Sequence, residues 1–150
     1  RVFHRLDGVS VAVERGDQVH LVVNAALAVP GMIRSRRKVE AVAANARAFL
    51  AVQKEFGSFH AWLWNFTDGR MLVYESHAAS VPASNELSDR ISAALKKRGF
   101  LYVGSITVYS LLQACGVVND HEPDCPRFSE VMRGVEAAHP ERRAPLSEES

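Results

Sequence analysis

Apolar residues recur every three or four positions through RRKVEAVAANARAFLAVQKEF (36–56), and this spacing constrains the fold more than any other feature of the chain. Val39, Val42, Ala43, Ala46, Phe49 and Leu50 fall on one side, while Arg36, Arg37, Glu40 and Arg47 fall away from it. Ser35 is placed to cap the start and Gly57 to stop the end. The same period appears in most other segments. Asp17 can cap a helix from Gln18, with Val19, Val22, Val23 and Ala26 on one face and Pro30-Gly31 as its stop. Ser58 caps a short aromatic helix in which Phe59, Trp62 and Phe66 share a face and read as core packing. A helix is predicted from about Asn85 to Arg98, ended by Gly99, and another from about Ser105 to Cys115, ended by Gly116. A weaker one follows Pro126. Met71-Leu72-Val73-Tyr74, after the Asp68-Gly69 turn, alternates like a strand, but no other run of similar quality could pair with it. It is read as an extended loop, and the class as all-α.

A chain of 150 residues fits one domain, and neither a repeat nor a linker divides it. Residues 1–136 are read as the folded portion and the polar, proline-bearing 137–150 as a disordered tail. Two cysteines exclude a disulfide-dense scaffold and suggest a reducing, cytoplasmic setting. No apolar run reaches the roughly 18 residues of a membrane helix, and RVFHRLDGVS lacks the apolar stretch of a secretion signal. A net charge of +1 offers no global attraction for nucleic acid, so any such attraction must be local.

Two stretches could carry chemistry. In the first, Leu95 to Thr107, two amphipathic helices are joined by a short apolar hairpin bounded by Gly99 and Gly104. Gly104 lies where the second helix begins, so unpaired N–H groups and the helix dipole point outward there, and a phosphate can approach a residue without a side chain. Lys96, Lys97 and Arg98 lie beside it, and Ser105 and Thr107 offer hydroxyls. This outlines a helix-hairpin-helix that grips a nucleic-acid backbone without reading bases; a helical hairpin with a solvated basic turn fits the same pattern. In the second, Asn119 to Cys125, His121 and Cys125 have a spacing common for a pair of zinc ligands, although structural zinc takes four. A polar loop fits that spacing as well. Cys115 reads as core, and His4, His20, His60, His77 and His139 are scattered. The basic group Arg34, Arg36, Arg37 and Lys38 opens a helix, where the dipole disfavours positive charge, so either phosphate or water faces it. Asp7, Glu55 and Asp89 form no pair for acid–base work; Asp120 is the best-placed carboxylate.

Together these residues resemble the bacterial 3-methyladenine DNA glycosylase I family, within the helix-hairpin-helix DNA glycosylases. The resemblance is carried by Ile33 to Val39 with Asn45-Ala-Arg47, by Phe56 to Trp64, by Ser88 to Lys97, and above all by LKKRGFLYVG (95–104) continuing through Tyr109, Gln113 to Gly116 and Val118 to Cys125. It spans about residues 3–128, and NAALAVPGM before Ile33 is longer than the family pattern. The resemblance implies a glycosylase fold incomplete at its N-terminus. The part expected before Arg1 would hold the catalytic and base-pocket residues, including a glutamate and aromatics, and a Cys and a His completing a structural zinc site with His121 and Cys125. It implies hydrolysis of the N-glycosidic bond of 3-methyladenine in double-stranded alkylated DNA, leaving an abasic site, by a monomer that needs no protein partner and no membrane. Asp120 is then expected to support the zinc loop or pocket floor and not to act as base. The chain by itself is expected to be inactive, to leave an apolar face open around 18–28 and 105–115, and to bind zinc weakly. The alternatives are a DNA-binding module without catalysis, or an inactive truncated relative.

Overall fold

The computed structural model describes residues 5–6, 9–10, 23–32, 34–74, 82–138 and 146–147. It is predominantly helical, as the apolar period requires. A two-residue antiparallel pair, β1 (Arg5–Leu6) with β2 (Val9–Ser10), precedes α1 at 23–28. The long helix α2 (Arg36–Phe56) is followed by α3 (Phe59–Trp64) and a 3-10 turn at Asn65–Thr67. Then come β3 (Leu72–Val73), α4 (Glu86–Lys97), α5 (Ser105–Ala114), β4 (Val118–Asn119), α6 (Pro126–Ala138) and β5 (Leu146–Ser147). The predicted cap at Asp17 and the start of its helix lie outside the described residues.

The helix ends follow local chemistry. The Ser58 hydroxyl accepts the Ala61 N–H at 2.9 Å. Asn85 and Ser88 form a reciprocal box: the Asn85 side-chain oxygen accepts the Ser88 N–H at 2.8 Å, and the Ser88 hydroxyl accepts the Asn85 N–H at 2.9 Å. Ser35 stands at the start of α2, but its hydroxyl makes no capping bond.

Two expectations are corrected. Residues 72–73 are a strand: β3 runs parallel to β4, with Leu72 opposite Val118 and Val73 opposite Asn119, and β5 lies on its other side. Its partners come after two and three further helices, and each strand is only two residues long, so no apolar run announces them. The face of α2 also differs from the predicted stripe. Ala41, Ala48 and Val52 are buried, whereas Val42 and Leu50 are 68% and 60% exposed. The small Ala41 and Ala48 let neighbouring chain approach closely, and the bulkier stripe is left outside except where Phe49 stacks on Phe59 at 4.8 Å. The open apolar surface therefore lies on α2 and at the hairpin residues Leu101, Tyr102 and Ile106, with Val29 and Met32 beyond α1. Within α5, Val108, Tyr109 and Leu112 are buried, so of the face expected to be open there it is Ile106 that is exposed as a large apolar residue. As for the tail, α6 extends to Ala138 and β5 pairs at 146–147; the remaining tail residues lie outside the described ones.

The core joins Val52, Trp62, Leu63, Ile91, Leu95 and Leu112 into one cluster with Val117 and Val118. Trp64 is buried too, directly before the 3-10 turn. Around this core α2 fastens the α4–α5 hairpin at two points. The Asn45 amide donates to the Leu101 carbonyl at 3.0 Å and its oxygen accepts the Leu101 N–H at 2.7 Å. The Arg98 guanidinium donates to both oxygens of Glu55, at 2.7 and 3.0 Å, and lies over the Phe56 and Trp62 rings. Among the described residues no helix is long and apolar enough to cross a membrane.

Leu112 has no exposed surface at the centre of this cluster. Its replacement by alanine is expected to lower unfolding free energy by about 2–5 kcal/mol in urea titration, through lost transfer energy plus a residual cavity.

Candidate nucleic-acid interface and metal ligands

The hairpin between α4 and α5 has two glycines with different reasons to be there. Gly99 has φ +85°, a conformation that side chains resist, and its N–H with that of Phe100 closes the end of α4 on the carbonyls of Lys96 and Leu95. Gly104 has φ −67° and ψ 161°, which any residue adopts, and a Cβ built there would meet no protein atom within 4 Å. Neither backbone strain nor packing among the described residues demands glycine at 104. What a side chain would occupy is open space over the start of α5, where no side chain caps the first N–H groups. That is the geometry an anion requires.

The surrounding residues divide. Lys96 and Lys97 are exposed in the last turn of α4, Thr107 is exposed in the first turn of α5, and Ser105 is half-buried beside Gly104. Arg98 instead turns to Glu55, which holds the Glu55 carboxyl below its usual range, chiefly by the hydrogen bonds between them. The hairpin backbone is pinned again where the Ser92 hydroxyl donates to the Val103 carbonyl at 2.7 Å. Sequence reasoning passed over Glu55 as an unpaired acid and gave Asn45 no role. A polar residue facing inward from an otherwise apolar register was the available signal for Asn45.

After α5 the chain turns through β4 into the loop of the second stretch. Asn119 is buried, donates to the Phe128 carbonyl at 3.1 Å and so ties the loop to α6. Asp120 accepts from the Tyr109 hydroxyl at 3.0 Å and from the Gln113 amide at 2.7 Å through the same oxygen. Burial, then the Asp120 charge, pushes the Tyr109 phenol well above its ordinary range. These bonds give Asp120 a bracing position under the loop. Four residues apart, His121 and Cys125 come together, with Nδ1 and Sγ separated by 3.8 Å. Bonds of about 2.3 Å to sulfur and about 2.0–2.1 Å to nitrogen, at a tetrahedral angle, put the two donors about 3.6 Å apart, so the pair fits one zinc ion. Among the described residues no group of three or more potential ligands assembles, so the pair supplies two positions. Cys115, expected in the core, is exposed at the end of α5. His60 packs near Trp64, and the other scattered histidines lie outside the described residues.

The methyladenine glycosylase family model matches residues 1–128. The chain is 40% identical over 124 residues to DNA-3-methyladenine glycosylase 1 of Escherichia coli (strain K12), covering 82% of this chain and 64% of that protein. It is 38% identical over 125 residues to DNA-3-methyladenine glycosylase of Haemophilus influenzae, covering 83% and 65%. The chain thus spans just under two thirds of the length of these relatives. A 3-methyladenine DNA glycosylase I from Staphylococcus aureus, solved to show the structural basis of 3-methyladenine recognition, superposes with a TM-score of 0.66 at 28% identity, over 73% of this chain and 61% of that one. A crystal structure of another 3-methyladenine DNA glycosylase I gives 0.61 at 37% identity, over 76% and 61%.

The raised Tyr109 pKa has a signed consequence. A phenol favoured in its neutral form by the fold contributes full stability below its ordinary pKa near 10, and that contribution is lost as pH rises beyond it. Urea midpoints taken from pH 8 to about 11 should show the advantage of the parent over Tyr109→Phe shrinking above pH 10; a gap that stays constant or widens contradicts the assignment.

Proposed function

The chain belongs to the methyladenine glycosylase family, and from that premise we propose that the protein containing it is a DNA glycosylase of base-excision repair acting on 3-methyladenine in alkylated duplex DNA. The observation that carries the reading is Gly104, a glycine with no conformational or packing reason inside the chain, at the uncapped start of α5. A DNA phosphate takes the open space, received by the N–H groups there, with Ser105 and Thr107 adding hydroxyls and Lys96 and Lys97 adding charge. Arg98 and Gly99 serve the same contact by shaping and anchoring the turn. Such contacts are independent of sequence, as an enzyme that searches for a damaged base needs.

The reaction is cleavage of the bond between deoxyribose and base. The methylated base carries positive charge and leaves with the bonding electron pair as a neutral molecule; water delivers hydroxyl to the sugar carbon and a proton is released. The departing group needs little acid assistance, so the work of the protein is to bind the duplex, hold the flipped nucleotide and admit water. Asp120, held by Tyr109 and Gln113, braces the loop and takes no part in that step. His121 and Cys125 are proposed as two ligands of a structural zinc ion, which when bound fastens this loop to other ligands. The protein is read as a monomer that works in the bacterial cytoplasm, with DNA as its partner.

Incubation with alkylated DNA is expected to release 3-methyladenine and leave abasic sites. Tight DNA binding with no base released would favour a module that only grips the duplex. Gly104→Ala should leave stability unchanged or raise it by about 0.4–1 kcal/mol, because the backbone angles suit alanine. Gly104→Asp should fold equally well and lose DNA affinity at low salt. Zinc titration of the 150-residue chain should show no tight one-to-one site, since two ligands leave the ion half coordinated; tight stoichiometric zinc would contradict this.

A further inference from the structure

A groove of about 540 Å³ runs between α2 and the hairpin, with Ala41 and Ala44 as its floor, Leu101 and Tyr102 on the hairpin side, and Arg37 and Arg47 along it. We propose that this groove is a second nucleic-acid contact, which takes the stretch of DNA strand adjoining the hairpin, with Arg37 and Arg47 at phosphates and the Tyr102 ring against a base or deoxyribose. The inference rests on the reading of Gly104 as a phosphate contact.

Four observations carry it. Neither Arg37 nor Arg47 forms an ion pair or hydrogen bond among the described residues, in contrast to Arg36, Arg98 and Arg127. Both are exposed and line the opening, so two guanidinium groups stand there without an ion-pair partner among the described residues. The one carboxylate in the lining, Glu40, lies 3.8 Å from Arg36, which offsets it. Tyr102 is 61% exposed and adopts φ +59°, a left-handed conformation that a bulky residue rarely enters. A large ring is thus held out at the hairpin tip by a conformation that local preference disfavours, and the Asn45 clamp on the adjacent Leu101 fixes it. Ten residues separate the two arginines along α2, about 15 Å at 1.5 Å per residue, or roughly four base-pair steps measured along a duplex axis. Finally, Tyr102 is two residues from Gly104, so a strand whose phosphate sits at Gly104 passes over the mouth of the groove. The combination of paired cations, an aromatic platform and an open course suits a polyanion bearing flat rings.

The test is fluorescence anisotropy of the protein on an undamaged labelled duplex across a salt series. The Arg37→Ala/Arg47→Ala double variant is expected to weaken binding and to flatten the slope of log affinity against log salt by about 1.8, the loss of two phosphate contacts. Tyr102→Ala should weaken binding on the order of tenfold with the slope retained, and Tyr102→Phe should restore it. An Arg127→Ala/Arg133→Ala pair on α6 serves as control and should leave both quantities near the parent. The proposal is overturned if the groove variants match the parent while Gly104→Asp loses binding, or if the α6 pair flattens the slope equally. If Gly104→Asp also binds like the parent, the hairpin reading falls together with the groove.

Discussion

Two bidentate contacts set the position of the α4–α5 hairpin, on which the proposed DNA contact depends. Asn45 pairs with the backbone of Leu101 on both its donor and acceptor sides, and Glu55 receives both arms of Arg98. They sit near the middle and the end of one helix, so the α4–α5 hairpin is fixed in rotation as well as in distance. A single hydrogen bond would hold a point; two forked ones hold an orientation. Each has an exposed flank, so neither is a large source of stability by itself. The stability comes from the apolar cluster beneath, in which Ile91, Leu95 and Leu112 are fully buried. The division is a common one: burial makes the fold stable, and directional polar contacts decide which of several similar packings is adopted.

On that mount, the hairpin shows how a glycine can be diagnosed. Gly99 and Gly104 look equivalent in the sequence, as bounds of one turn. The backbone separates them: one is required by its own dihedral angles, the other by nothing among the described residues. A residue type unexplained from within is evidence about what arrives from outside. The same contrast sorts the cations, since Arg98 is committed to Glu55 and two aromatic rings, while Lys96 and Lys97 remain exposed.

The helices were legible because each carries an apolar period and a terminating residue of its own, such as Gly57, the Asn85 box or Gly99. The strands were not. Leu72–Val73 and Val118–Asn119 are each too short to alternate, and their pairing depends on helices between them that no local pattern reports. The α2 face was misread for a related reason: size was taken as the sign of burial, whereas Ala41 and Ala48 are buried because they are small enough to be approached. Of the site residues, His121 and Cys125 fitted a polar loop as well as a ligand pair by spacing, and it was the resemblance that implied zinc; the structure brings their donor atoms within 3.8 Å. Asn45 and Glu55 were not legible, since their partners lie on another element and a polar residue on a helix has no sequence mark for what it will touch. The family resemblance reached further than either period or spacing, because it reads long stretches at once.

The parallel pairing of β3 with β4 bears on how the chain assembles. Contacts between α4 and α5 are local and close over a short turn, so that hairpin can form early and at low entropic cost. The hydrogen bonds from Leu72 to Val117 and from Tyr74 to Asn119 cannot form until both later helices are in place. The strand junction closes a far longer loop than the hairpin does, so its pairing carries the larger entropic cost. The loop bearing His121 and Cys125 follows that junction directly, so its placement depends on this long-range pairing.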